Sequence, residues 1–147
     1  MLDRSKTGTV FAPFTVVVGL RQLMFFAKAI GETNPVYVDE TAARAAGHRS
    51  IPAPPTFAMV LDMDRQEDLS PEVALLQLDV RRILHGSQSF EYFAPIYAGD
   101  EITVTRQIVD IYDKKGGALE FVVTESRYTN QDRQCVSTAQ CCLVYRN

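Results

Sequence analysis

The sequence predicts a single α+β domain in which an antiparallel sheet of about five strands covers an apolar helix. Three observations carry this. Apolar residues recur at helical spacing in the first half of the chain. They recur at period two in the second half, where short turn signals join the strand-like segments. At 147 residues the chain has the length of one domain, and no linker, repeat or low-complexity tract divides it, so residues 1–147 read as one unit.

Each element follows from its residues. Phe14-Thr15-Val16-Val17-Val18 is β-branched and predicts a short strand. Leu20, Leu23, Met24, Ala27 and Ile30 share one helical face, and Gly31 is a natural stop. Asp39 can cap a short alanine-rich helix ending at Gly47. After Pro52, Pro54 and Pro55, a helix should open at Pro55 or Thr56, because proline belongs in a first turn. Phe57 to Leu61 has no polar face, so that helix must be buried on most sides. From Leu75 the period becomes two: Leu76, Leu78 and Val80 alternate with Gln77, Asp79 and Arg81. Ser89 to Phe93, Ile102 to Tyr112, Leu119 to Tyr128 and Gln134 to Tyr145 predict further strands. Lys114-Lys115-Gly116-Gly117 and Asn130-Gln131-Asp132 are turn signals short enough to require antiparallel neighbours. Periodicity alone leaves several α+β arrangements open.

Composition narrows the function classes. Fifteen Lys and Arg stand against 18 Asp and Glu, a formal charge of −3. The basic residues cluster only as the pairs Arg81-Arg82 and Lys114-Lys115, which speaks against nucleic acid as a partner. No apolar stretch reaches the roughly 18 residues that span a bilayer, and the polar start does not resemble a secretory signal. Cys135, Cys141 and Cys142 form neither a disulfide framework nor a zinc motif, so reduced cysteines in a cytoplasmic protein are expected. No His, Asp or Glu cluster has metal-ligand spacing, and no phosphate loop or nucleophile elbow is present, so neither metal nor cofactor is expected.

The most specific segment is Ala29-Ile30-Gly31-Glu32-Thr33-Asn34-Pro35-Val36-Tyr37. It resembles the signature of (R)-specific enoyl-CoA hydratases and MaoC-like dehydratases, in which Gly-Asp-x-Asn-Pro-x-His stands at these spacings. Pro54-Pro55-Thr56-Phe57 and the run His85 to Asp100 look like the N-terminal MaoC-type dehydratase domain, and the three matches fall in the expected order over most of the chain. The resemblance implies a hot-dog fold, with the sheet wrapped around a long buried central helix. It also implies acyl thioesters of CoA or acyl carrier protein as ligands, and hydration of a trans-2-enoyl thioester or dehydration of a 3-hydroxyacyl thioester as the chemistry. In the family the Asp and His of the signature activate water, and a backbone N–H at the start of the central helix polarises the thioester carbonyl. Such a reaction needs a base and fixed donors aimed at the developing oxyanion.

This sequence departs from the signature at both catalytic positions. Glu32 replaces the Asp and sits one methylene further out. A displacement on the order of 1 Å can cost about 10²-fold. Tyr37 replaces the His, and a phenol with a pKa of about 10 is a poor base at neutral pH. Asn34 is retained, and its structural alternative is a turn residue that bonds its own backbone. Thr56 and Phe57 carry the first N–H groups after two prolines, either as helix caps or as thioester donors. His85 lies in a family-like run and can change charge near neutral pH, whereas His48 reads as a loop residue. Phe90, Tyr92 and Phe93 read as core or interface aromatics.

The sequence therefore points to a MaoC-like hot-dog subunit of an acyl-thioester (R)-hydratase or dehydratase. Its catalytic pair is degenerate, and it would serve as a substrate-binding or stabilising subunit. The alternatives are a homodimeric active enzyme using Glu32 with His85, an acyl-CoA thioesterase, or a non-enzymatic acyl-thioester binder. A homodimer, or a heterodimer with a catalytic MaoC-like subunit, is expected, because an open sheet edge and an apolar helix side need cover.

Overall fold

Period-two segments become long strands here because alternate residues have a common face to bury. The computed structural model describes residues 1–64 and 69–147. Its strands are β1 (Phe14–Val17), β2 (Ile83–Tyr92), β3 (Glu101–Lys114), β4 (Leu119–Thr129) and β5 (Cys135–Arg146). They form one sheet in the order β1-β3-β4-β5-β2 with every pairing antiparallel. On β3, Ile102, Val104, Arg106 and Ile108 are buried while Thr103, Thr105 and Gln107 are less so. The turn between β3 and β4 places Lys115, Gly116 and Gly117 at φ of 53°, 63° and 87°, a left-handed run that two glycines relieve. Between β4 and β5, Asn130 Oδ1 accepts from the backbone N–H groups of Asp132 and Gln134, as the turn signal implied.

The helices are α1 (Leu20–Ala29), α2 (Glu40–Ala45), α3 (Ala58–Met63) and α4 (Pro71–Leu75). Leu23 and Ala27 form the buried face of α1. Gly31, at φ 71°, closes that helix, and the next N–H, of Glu32, returns to the Ala27 carbonyl. Asp39 caps α2 by accepting from Ala42 N. The apolar segment after the prolines opens as a 3-10 turn, Pro55–Phe57, and continues as α3. Phe57, Ala58 and Leu61 are buried against Val16, Val18, Leu23, Ile102, Val104, Tyr128 and Val136. The Phe57 ring also meets Phe26 edge-on at 5.4 Å. Burying side chains such as Phe57 and Leu61 contributes about 1.5–3 kcal/mol each. The fold class is therefore as expected, with one difference: the helix is not long, since α3 ends at Met63 and its C-cap Asp64 has left helical geometry.

A second correction concerns the stretch Leu76 to Val80, whose alternation predicts a strand. Gln77 has φ 52°, and the N–H groups of Gln77 and Leu78 return to the Ala74 and Val73 carbonyls, so the stretch closes α4 instead. Asp79 then caps a 3-10 turn over Val80–Arg82, and β2 starts at Ile83 rather than Ser89. His85 is thus inside a strand. Beside it, Gly86 lies where the β2–β5 register shifts.

The two sheet edges differ. On the β1 side the chain before β1 continues along β3, through a Val10–Gln107 bridge and the bonds Gly8 N to Ile108 O and Phe11 N to Arg106 O. On the other side, β2 pairs only with β5 among the described residues. No helix among the described residues is long and apolar enough to cross a membrane.

Candidate functional site

The loop after α1 folds by local bonds. Asn34 Oδ1 accepts from Val36 N at 3.1 Å and caps the 3-10 turn Pro35–Tyr37, where proline takes the first position. Glu32 Oε1 accepts from Thr33 N and Asn34 N, both at 2.9 Å. The Glu32 carboxylate therefore holds its own loop together. The outcome of this folding is that Tyr37 lines a cavity of about 330 Å³ beside the start of the buried helix.

Pro54, Pro55 and Ala58 form the helix side of this cavity, and Ala94, Pro95 and Ile96 face them. Its volume lies in the range of small-molecule pockets, and its lining is mostly apolar, as such pockets are. The polar groups on its wall are Tyr37, His48, Tyr92 and Ser137, and no carboxylate stands among its described lining residues. Tyr92 donates its hydroxyl to the Pro55 carbonyl at 2.9 Å, bracing the first turn of the helix from β2. Burial pushes the Tyr92 phenol above its ordinary pKa, so it stays neutral at physiological pH. Ser137 donates to the Glu91 carbonyl.

His48 enters the cavity wall from the loop after α2. Its Nδ1 lies 3.1 Å from the Tyr97 hydroxyl, and the two rings meet at 61°. Tyr97 is in turn held by Asp100, which is only 2% exposed. Asp100 Oδ2 accepts from Tyr97 N at 2.8 Å, while Oδ1 accepts from Gln131 Nε2 and pairs with Arg49. The Arg49 guanidinium also lies 4.4 Å from the Tyr97 ring centre, a cation–π contact.

The residues singled out from sequence divide accordingly. Glu32, Asn34 and Tyr37 are brought together in one loop, with only Tyr37 on the cavity wall. Thr56 is exposed. Phe57 is a core side chain whose N–H is taken by the Pro54 carbonyl, so that amide is not available to a ligand. His85 projects from β2, 3.2 Å from Gln88 Oε1, and lines a separate cavity of about 470 Å³ with Glu72, Arg106 and Cys141. Glu32 is not among the described residues that line the cavity bordered by His85. His48 is the residue that sequence reasoning passed over. Its only local signal was an unremarkable place between Gly47 and Arg49. Among the described residues no group of three His, Cys, Asp or Glu is placed to hold a metal ion.

Comparison with known proteins agrees with this architecture. A family model described as the FAS1-like dehydratase domain region matches residues 5–139. A UPF0336 protein of Saccharopolyspora erythraea is 36% identical over 146 residues, covering 99% of this chain and 92% of that protein. Among solved structures, the HadBC (3R-hydroxyacyl-ACP dehydratase) complex of Mycobacterium tuberculosis is similar over 95% of this chain and 96% of its own, with 28% identity and a TM-score of 0.79. The ChsH1–ChsH2 complex of the same organism shares the fold at a TM-score of 0.78 and 22% identity, over 94% of this chain and 89% of that one. The chain belongs to the FAS1-like dehydratase-region family, and its fold is the hot-dog fold of MaoC-like dehydratases and (R)-hydratases.

Proposed function

We propose that this chain is the non-catalytic, ligand-binding subunit of a hot-dog acyl-thioester hydratase or dehydratase, and that it works beside a second hot-dog subunit carrying an intact catalytic pair. One observation carries the reading: the only carboxylate of the signature loop turns its Oε1 onto the loop's own N–H groups, of Thr33 and Asn34, and is not among the cavity's described lining residues, while a phenol occupies the wall. Hydration needs a base beside the reacting water. A phenol, a weak acid with an ordinary pKa of about 10, does not supply one. A mostly apolar cavity with a few neutral hydrogen-bonding groups instead suits an acyl thioester held without being transformed.

Two features support a partner. The similar HadBC and ChsH1–ChsH2 structures are complexes of two named components. β2 ends at Tyr92, 51% exposed, with Phe93 just beyond it 53% exposed, and an edge left unpaired among the described residues beside such side chains invites a second sheet.

The test is to assay crotonyl-CoA hydration by the purified chain alone, and by the chain co-expressed with a hot-dog subunit bearing the intact Asp and His. The lone chain should bind the thioester without hydrating it, and the pair should co-purify and turn over. Robust hydration by the lone chain, abolished by Glu32→Ala, would overturn the reading. Hydrolysis to free CoA would favour a thioesterase, and binding with no activity in any pairing would favour a simple acyl-thioester binder.

A further inference from the structure

We infer that His48, set by Tyr97, is the hydrogen-bond donor that orients the ligand's carbonyl in the cavity beside Tyr37; this rests on the acyl-thioester reading above. The Tyr97 hydroxyl lies 3.1 Å from His48 Nδ1, an acceptor for its proton within reach among the described residues. With Nδ1 accepting, the neutral imidazole must carry its proton on Nε2. No protein group among the described residues bonds Nε2, while the ring borders the cavity. The cavity wall thus presents an N–H donor at the end of a fixed ring.

The ring is fixed from behind in successive steps. Asp100, enclosed by the fold, holds the Tyr97 backbone N–H and the Arg49 side chain. Arg49 lies against the Tyr97 ring, and a cation there draws electron density from the phenol and strengthens its O–H as a donor. Asp100, Arg49 and Tyr97 are therefore positioning residues, and His48 is the group that meets the ligand. A neutral N–H beside apolar walls matches an uncharged carbonyl oxygen, which the thioester of an acyl chain offers. Of the cavity's other described polar groups, the Tyr92 and Ser137 hydroxyls already donate to backbone carbonyls, while Tyr37 offers a second hydroxyl on the wall, so Tyr37→Phe is the control that must keep the preference for the thioester.

The experiment measures affinity for hexanoyl-pantetheine and for its thioether analogue, which lacks the carbonyl oxygen. The unmodified chain should prefer the thioester by about 5- to 10-fold, the worth of one hydrogen bond of about 1–1.4 kcal/mol. His48→Ala should bind both probes equally, and His48→Gln, whose amide reaches a similar position, should restore part of the preference. Tyr97→Phe should reduce the preference and shift the His48 ring ¹⁵N signals away from the Nε2–H tautomer. Equal binding of both probes by the unmodified chain, or a preference retained in His48→Ala, would overturn the inference while leaving the acyl-binding reading intact. Failure of both probes to bind would count against that reading itself.

Discussion

Arg106 and Glu72 meet inside the fold, with Arg106 Nη2 at 2.9 Å from Glu72 Oε1, and their side chains are only 8% and 1% exposed. Arg106 Nη2 also donates to Thr124 Oγ1 at 3.0 Å. Among the described residues no hydrogen-bond partner reaches Glu72 Oε2 or Arg106 Nε. The pair joins α4 to β3 between the main core and the smaller apolar clusters around Val73 and Ile108. Desolvating two charges costs several kcal/mol each, and incomplete bonding leaves part of that cost unrecovered.

Removing one partner should therefore do more harm than removing both. Glu72→Ala or Arg106→Ala should lower unfolding free energy by about 3–5 kcal/mol. The double replacement Glu72→Met with Arg106→Met should be near neutral or stabilising. Urea unfolding of the four proteins checks this, and additive losses in the double variant would refute it.

Alkali should destabilise the protein through two enclosed acids. Burial, aided by the Asp62 charge and hydrogen bond, pushes the Tyr128 phenol well above its ordinary pKa. Burial likewise pushes the Cys141 thiol up from 9.0 to about 11. Both groups hold their protons more tightly when folded, so their stabilisation is complete below the unfolded pKa and is lost as pH rises through the folded one. The urea midpoint should stay level to about pH 8.5 and then fall. Tyr128→Phe should make the fall above pH 10 shallower, while at neutral pH costing about 1.5–3 kcal/mol for a hydroxyl donated to a carboxylate at 2.7 Å.

Glu32 can be tested as a loop cap rather than as a base. Glu32→Ala should cost about 1 kcal/mol and release the amides of Thr33 and Asn34 to hydrogen exchange. Glu32→Gln keeps an acceptor oxygen and should retain most of that protection. A general base would show the opposite pattern, with Gln as damaging to turnover as Ala.

Gly86 should not tolerate a side chain. A Cβ there would stand 2.8 Å from Val144 Cγ2 and 3.0 Å from the Cys142 carbonyl oxygen, the latter being backbone that cannot step aside cheaply. Gly86→Ala should cost about 1–3 kcal/mol and weaken co-purification with a partner subunit that pairs along β2. An unchanged denaturation midpoint would remove the steric account.

The sequence by itself determined the α+β class, the antiparallel turns at Lys114–Gly117 and Asn130–Asp132, the cap at Asp39, the turn at Asn34, and the burial of Phe57 to Leu61. These rest on period, turn chemistry and capping, all of which act over a few residues. Leu76 to Val80 was misleading because alternation over a short stretch cannot reveal a left-handed residue, here Gln77, that ends a helix in its midst. Only the tertiary structure decided that the Glu32 carboxylate turns back on its loop, that His85 and Tyr37 line different cavities, and that Glu72 meets Arg106. The place of His48 beside Tyr97 was likewise hidden, because 49 residues separate them and their meeting depends on how the α2 loop seats against the chain entering β3. Long-range neighbours are set by sheet register and packing, and those are properties of the whole fold rather than of any window of sequence.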